Sequence, residues 1–169
     1  AAPGKLDAQF PEHAMHDITL LQLLSDDIDT SQQLLMLIQD EFKALGERDL
    51  PQLEHLLSRK LPLLSLLEQH GRQRSELLQS LHLSADQQGL EQLAAGSQHG
   101  DQLLSRSAQL SAQLEQCRTA NLLNGRVIRS NQSATSSVLG ILRGAETPNL
   151  YDSRGSTARI AQQRPLSQA

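Results

Sequence analysis

A run of 40 residues without proline, Leu103 to Leu142, constrains the fold of this chain more than any other stretch. Alternating intervals of four and three residues along it give an unbroken a/d heptad seam. The seam consists of Leu103, Ser107, Leu110, Leu114, Cys117, Asn121, Asn124, Ile128, Asn131, Thr135, Val138 and Leu142. One helix of this length is roughly 60 Å long, at about 1.5 Å per residue. Because a single compact core cannot cover such a rod, we expect part of it to bind a partner.

Leucine supplies most of the apolar content. Hydrophobic residues make up 38% of the 169 residues, and aromatic residues only 2%. Strands favour β-branched and aromatic side chains, so this composition predicts an all-α fold. A core of leucine alone is poorly specified, which suits an elongated bundle better than a rigid active site. We therefore expect an elongated antiparallel helical bundle or coiled coil.

Heptad spacing and capping residues predict three long helices and one short helix. Asp17 is a good N-cap for the first helix, and Gly46 is a good stop. Asp49 can cap the second helix, and a capping box beginning at Ser84 can open the short third helix. The predicted ranges are about 17–45, 50–81, 84–95 and 101–142.

The second predicted helix has a broad apolar face. The connection before it is short, so the first two helices should be antiparallel neighbours. Pro62 lies inside the helix and should kink it. The face consists of Leu53, Leu56, Leu57, Leu61, Leu63, Leu64, Leu66, Leu67, Leu77, Leu78 and Leu81.

The two ends of the chain differ from its middle. Residues 1–16 are expected to be a flexible leader or an addition to the native start, residues 17–143 the helical domain, and residues 144–169 a disordered polar tail. The net charge of −4 argues against a nucleic-acid partner. No secretory signal and no apolar run of transmembrane length is present, so the expected location is the cytoplasm.

Catalytic motifs are missing from the sequence. None of the six histidines lies four residues from another and no Glu-x-x-His pair occurs, which excludes helical zinc and di-iron sites. No glycine-rich phosphate loop is present. We therefore expect no enzyme, no cofactor and no metal. Phosphotransfer on His55 or His70 is an alternative, although solvated surface histidines are favoured. Cys117, the single cysteine, should be a small buried hydrophobe.

The polar middle of the last helix has two interpretations. Buried asparagines can select the register of an ordinary bundle seam. Alternatively, the helix outruns its neighbours, and its C-terminal third presents apolar side chains with little cover, as partner-binding sites do. Those side chains are Leu122, Leu123, Val127, Ile128, Val138, Leu139, Ile141 and Leu142. Glycine costs about 1 kcal/mol in a helix relative to alanine, so Asn124-Gly125 is also a hypothetical hinge.

Several short patterns carry a resemblance to a known family. They are Asp40-Glu41, Glu47-Arg48-Asp49, Lys60 followed by Leu63-Leu64, Asn121-Leu122-Leu123-Asn124-Gly125 followed by Ile128, and Tyr151-Asp152 followed by Gly155. Together they resemble the FlgN-type flagellar type III export chaperone family over roughly residues 17–155. The Asn-x-x-Asn-Gly pattern and the tail tyrosine are the more specific parts.

The resemblance implies a non-enzymatic cytoplasmic chaperone that holds the hook–filament junction proteins FlgK and FlgL before export. It places the client site on Asn121, Leu122, Leu123, Asn124, Val127, Ile128, Asn131, Val138, Leu139, Ile141 and Leu142. It also implies that Tyr151 docks the loaded chaperone on the export gate protein FlhA. Residues 1–14 and 156–169 depart from the family pattern and inherit no role. The alternative is a self-associating coiled-coil structural or adaptor protein without secretion clients.

Overall fold

The computed structural model describes the backbone of residues 10–143 and the side chains of residues 14–133. This part of the chain contains four helices and no strand. They are α1 (Phe10–Glu47), α2 (Leu50–Ser80), α3 (Gln87–Ala95) and α4 (Gly100–Arg143). The predicted all-α fold with three long helices and one short helix is confirmed. Residues 1–9 and the predicted tail, 144–169, lie outside the described residues.

Helix α1 begins seven residues earlier than its predicted start. Phe10 and Pro11 open the helix, and proline is compatible with a first helical turn because its missing N–H would have no helical partner there. Asp17 is therefore not an N-cap. Its side chain is buried, and it accepts a hydrogen bond from the hydroxyl of Ser97 before α4. The predicted boundary at residue 17 is wrong, because residues 10–16 belong to the first helix.

The connection between α1 and α2 is a tight left-handed turn. The helix passes through Gly46, and Arg48 takes the left-handed conformation with a φ of 56°. The N–H of Asp49 donates to the carbonyl of Ala44 over 3.0 Å, which closes a Schellman motif. Asp49 then caps α2, because its Oδ1 accepts from the N–H of Gln52 over 3.1 Å. The predicted Asp49 cap and antiparallel α1–α2 pair are confirmed.

The short helix α3 begins at Gln87, and its cap differs from the predicted one. Asp86 accepts from the N–H of Gly89 over 2.9 Å, while Ser84 donates its hydroxyl to Asp86 over 2.6 Å. Ser84 thus orients the cap without being the cap. Gly89 is required for this close packing, because a Cβ there would lie 1.7 Å from the carbonyl oxygen of Ser84.

Helix α1 is the centre of the bundle and packs closely on both α2 and α4. The Sγ of Cys117 donates to the carbonyl of Ser31 over 3.3 Å, and Nδ2 of Asn124 donates to the carbonyl of Ile38 over 2.8 Å. Both pairs are 86 residues apart, so α4 runs parallel to α1. Helix α2 is antiparallel to both and continues through Pro62.

The same register makes α4 longer than its neighbour. A separation of 86 residues places Ser133 level with Glu47, the last residue of α1. Helix α4 continues to Arg143, so its final ten residues or so extend roughly 15 Å past the end of α1. This agrees with the expectation that the fourth helix outruns the bundle.

Buried leucines form the main apolar cluster at the end of the bundle that contains α3. This cluster combines Leu20, Leu24, Ile28, Leu78, Leu90, Leu93, Leu103 and Leu110 from all four helices. Two smaller clusters continue along α1, around Ile38 with Cys117 and around Leu37 with Leu56. The α2 face is less buried than its breadth suggests, because Leu61, Leu64 and Leu66 are exposed.

Candidate functional site

The C-terminal half of α4 contains both core residues and surface residues. Asn124 is 1% exposed and Ile128 is 5% exposed, because both face α1. The expectation that Ile128 lacks cover is wrong, and Asn124 is bonded to the α1 backbone. The buried asparagine therefore fixes the register of α4 on α1, as the first interpretation of the polar seam proposed. Neither side chain is open to a partner in this conformation.

Helix α4 is unbroken at Asn124-Gly125, and Gly125 is buried. The side-chain bond from Asn124 holds this turn against α1, which offsets the weak helix propensity of glycine. The question of a break is thereby answered, while a movable joint at this point remains a hypothesis.

Asn121 belongs to a polar network that connects three helices. Lys60 of α2 donates to Oδ1 of Asn121 over 3.3 Å and to Oε2 of Glu41 over 2.7 Å. Lys60 and Glu41 are buried, so the charges are shielded from water and neutralise each other. Sequence reasoning missed this network, although one lysine in the middle of the leucine face of α2 was the signal for it.

The other predicted site residues with described side chains are more exposed than Asn124 and Ile128. Leu123 is 47% exposed, and Leu122, Val127 and Asn131 are half-buried. Successive helical residues are about 100° apart, which places Leu123 about 200° from Asn121 and therefore on the flank away from α2. Leu123 is the most open of the predicted residues whose side chains are described.

Five predicted site residues cannot be placed by their side chains. Val138, Leu139, Ile141 and Leu142 belong to the last turns of α4, where only the backbone is described. Tyr151 lies outside the described residues. The roles predicted for these five residues remain predictions.

One of the two histidines considered for phosphotransfer is part of the core. Nδ1 of His70 lies 2.6 Å from Oδ1 of Asp27, a fully buried carboxylate that also accepts from Arg74. The expectation that His70 is solvated is wrong, and its ring is engaged in joining α2 to α1. His55 is exposed, as expected.

The described residues give little support for a reactive thiol, a metal site or a membrane-spanning helix. Cys117 is buried as expected, and burial raises the pKa of its thiol, which keeps it protonated and unreactive. An open polar groove of about 650 Å³ lies between α1 and α4, lined by Ser25, Asp29, Gln32 and Arg106 among others, without a histidine or cysteine. Among the described residues, no group of three or more histidine, cysteine, aspartate or glutamate side chains is placed to hold a metal ion. Between residues 10 and 143, no helix is long and apolar enough to cross a membrane.

The comparisons with known proteins agree with this architecture. The family model described as FlgN protein matches residues 15–159. The chain belongs to the FlgN family. The FlgN-type resemblance of the sequence patterns is thereby confirmed. A similar solved structure is that of a protein from Pseudomonas aeruginosa described as a flagella synthesis protein FlgN. The two sequences are 46% identical. The match covers 74% of this chain and 96% of the Pseudomonas chain, with a TM-score of 0.63. No curated protein matches the chain.

Membership of the FlgN family supports a flagellar export chaperone role. The family is of a chaperone type and is not enzymatic, in keeping with the structural roles found for His70 and Cys117. The functional surface of such a protein is a protein-binding surface. The candidates are therefore the apolar side chains that the bundle leaves exposed.

Proposed function

We propose that this FlgN-family chain is a cytoplasmic export chaperone for the junction proteins FlgK and FlgL. It binds a terminal segment of the client through the C-terminal part of α4, prevents premature assembly, and delivers the client to the export gate protein FlhA. The observation that carries the proposal is the length of α4, which extends past the end of α1 by roughly 15 Å.

The apolar residues of that extension support a helical partner. Val138, Leu139, Ile141 and Leu142 follow one another at helical spacing beyond Ser133, where α1 no longer accompanies α4. An amphipathic helix of the client can bury these side chains, which contributes about 25 cal/mol per Å² of apolar area.

The strength of binding should be moderate. An unfolded client segment loses conformational entropy when it becomes helical, which costs several kcal/mol of the gross interaction. A moderate affinity suits a cargo that must be released at the gate. Tyr151 is proposed to contact FlhA, so client binding and gate docking use separate parts of the chain.

The test compares two variants of the full chain in titration calorimetry with purified terminal segments of FlgK and FlgL. We expect Leu139→Asp with Leu142→Asp to weaken client binding at least tenfold with nearly unchanged thermal unfolding. The control is Ile18→Asp, since Ile18 is 58% exposed near the other end of α1. A large fall in melting temperature without a selective loss of binding would show that these leucines stabilise the fold and do not bind the client.

A second titration tests delivery. Tyr151→Ala should leave client affinity intact and weaken binding of the loaded chaperone to the soluble domain of FlhA. Equal FlhA affinity for both proteins would remove Tyr151 from this role. Sedimentation of the chain without client tests the alternative, because a self-associating coiled coil would form a tight dimer that client segments do not dissociate.

A further inference from the structure

The cross-section of the bundle changes along its length. At one end, α1, α2 and α4 are joined by α3, whose Leu90 and Leu93 enter a shared cluster with Leu20 of α1 and Leu78 of α2. Helix α3 packs on α4, so the four helices form a complete bundle at this end. Helix α3 is only nine residues long, however, and the other half of the bundle has three helices.

In that half, a corner between α2 and α4 is left open. Helix α1 packs closely on α2 and on α4, whereas α2 and α4 approach each other less closely. The hydrogen bond from Lys60 to Asn121 joins the two helices there and forms the floor of the corner. A cavity of about 200 Å³ marks the boundary between the two halves of the bundle. It is lined by Gly71 of α2, Ser107 of α4 and the first turn of α3.

Leucines border this open corner on both sides. On α2, Leu57 and Leu64 lie one helical turn before and after Lys60, and Leu61 is adjacent to it. Leu61 is 56% exposed and Leu64 is 44% exposed. On α4, Leu114 lies two turns before Asn121 and is 37% exposed. Together these leucines form an apolar patch across two helices, and such patches mark partner sites.

We infer that the open corner between α2 and α4 receives an amphipathic helix of the export client, with Leu61 and Leu64 of α2 as half of the binding surface. The inference rests on the proposed function. It extends the site from the end of α4 to α2, which the sequence patterns did not indicate. The client helix completes the four-helix cross-section in the half of the bundle that α3 does not reach.

The chain's own α3 indicates the chemistry of the occupant. It fills the same corner at the other end with leucines spaced three residues apart, Leu90 and Leu93. From Ser107 to Leu122 the open corner runs along about 15 residues of α4, or roughly 22 Å, which accommodates four turns of helix. The occupant is therefore a short helix with apolar side chains at positions i, i+3, i+4 and i+7.

The rims of the corner carry charges of both signs. Glu68 pairs with Arg72 on α2 over 3.5 Å, and Arg118 pairs with Glu115 on α4 over 3.0 Å. The buried Lys60 in the floor is neutralised by Glu41, so the floor favours uncharged side chains. With paired charges at its rims and a neutral floor, the corner selects an apolar face in the occupant and no fixed charge pattern.

The test uses the full chain and the same terminal segments of FlgK and FlgL. We expect Leu61→Gln with Leu64→Gln to weaken client binding at least tenfold, with unchanged circular dichroism and melting temperature because both leucines are exposed. The matched control is Ile18→Gln with Met36→Gln, two α1 side chains that are 58% and 60% exposed. The control should bind like the unmodified chain. A photo-crosslinking residue at position 61 should capture the client, whereas one at position 36 should not.

The other outcomes are distinguishable. Client binding by the unmodified chain and equally by the Leu61/Leu64 variant overturns the inference and leaves the proposed function intact. Failure of the unmodified chain to bind any client segment overturns the proposed function itself. A variant that loses self-association in sedimentation but keeps client affinity assigns the corner to a second copy of this chain, which also overturns the inference.

Discussion

The ion pair between Glu41 and Lys60 allows a quantitative test of how the helices are held in register. Nζ of Lys60 lies 2.7 Å from Oε2 of Glu41, and the two side chains are only 7% and 9% exposed. Glu41→Leu leaves the ammonium group buried, with the neutral Oδ1 of Asn121 as an acceptor 3.3 Å away. Removal of one member of a buried pair costs about 3–5 kcal/mol.

That loss is large relative to the stability of a domain of this size, which is typically about 5–15 kcal/mol. Since 1 kcal/mol changes the melting temperature of such a domain by about 2–4 °C, we expect Glu41→Leu to lower it by roughly 6–20 °C. The double variant Glu41→Leu with Lys60→Met removes both charges and should lie within about 1 kcal/mol of the unmodified chain.

Urea unfolding followed by circular dichroism measures both variants and gives the coupling energy of the pair. The reasoning is refuted if Glu41→Leu costs less than about 1 kcal/mol, or if the double variant is as unstable as the sum of the two single variants. Either result means that each charge is tolerated in the core without its partner. The register of the helices would then be set by another contact, for example that of Asn124.

Two smaller predictions concern glycine packing and the cap of α3. A Cβ at Gly100 would lie 2.1 Å from the carbonyl oxygen of Ala94, so Gly100→Ala should lower the melting temperature, whereas Gly46→Ala, with nothing within 4 Å, should raise it slightly or leave it unchanged. The Asp86 hydrogen bonds, first with Ser84 and then with Gly89, lower the pKa of its carboxyl. Folding favours the ionised form, so the cap's stabilisation is complete above the ordinary pKa and is lost as the pH falls through the lowered value. Hydrogen exchange of the α3 amides should accelerate over that acid range, and Asp86→Ala should remove this pH dependence.

Helix content was predictable because it depends on local patterns. The scarcity of aromatic residues, the heptad spacing and the Asp49 cap indicated three long helices and one short helix close to their observed ranges. The early start of α1 was missed because Phe10 and Pro11 show no periodicity, although proline suits a first turn. Local patterns also could not distinguish Ser84 from Asp86 as the cap, since both are good capping residues two positions apart.

Contacts between helices were not predictable from one sequence. The pairing of Asp27 with His70 spans 43 residues, and that of Glu41 with Lys60 spans 19 residues. Each depends on the relative register of two packed helices, which heptad spacing alone leaves open to shifts of a whole turn. The same limit applies to the candidate site, because spacing could not show that Ile128 faces α1 while Leu123 does not.

The parallel arrangement of α1 and α4 has a consequence for synthesis of the chain. The α1–α2 hairpin needs only contacts that are close in sequence, and such contacts form rapidly. The α4 contacts with α1 are separated by about 86 residues, so the surface of α1 around Ile38 stays uncovered until most of the chain has left the ribosome. During that interval the nascent hairpin exposes apolar side chains to other proteins. The chain therefore passes through an aggregation-prone stage before α4 covers this surface.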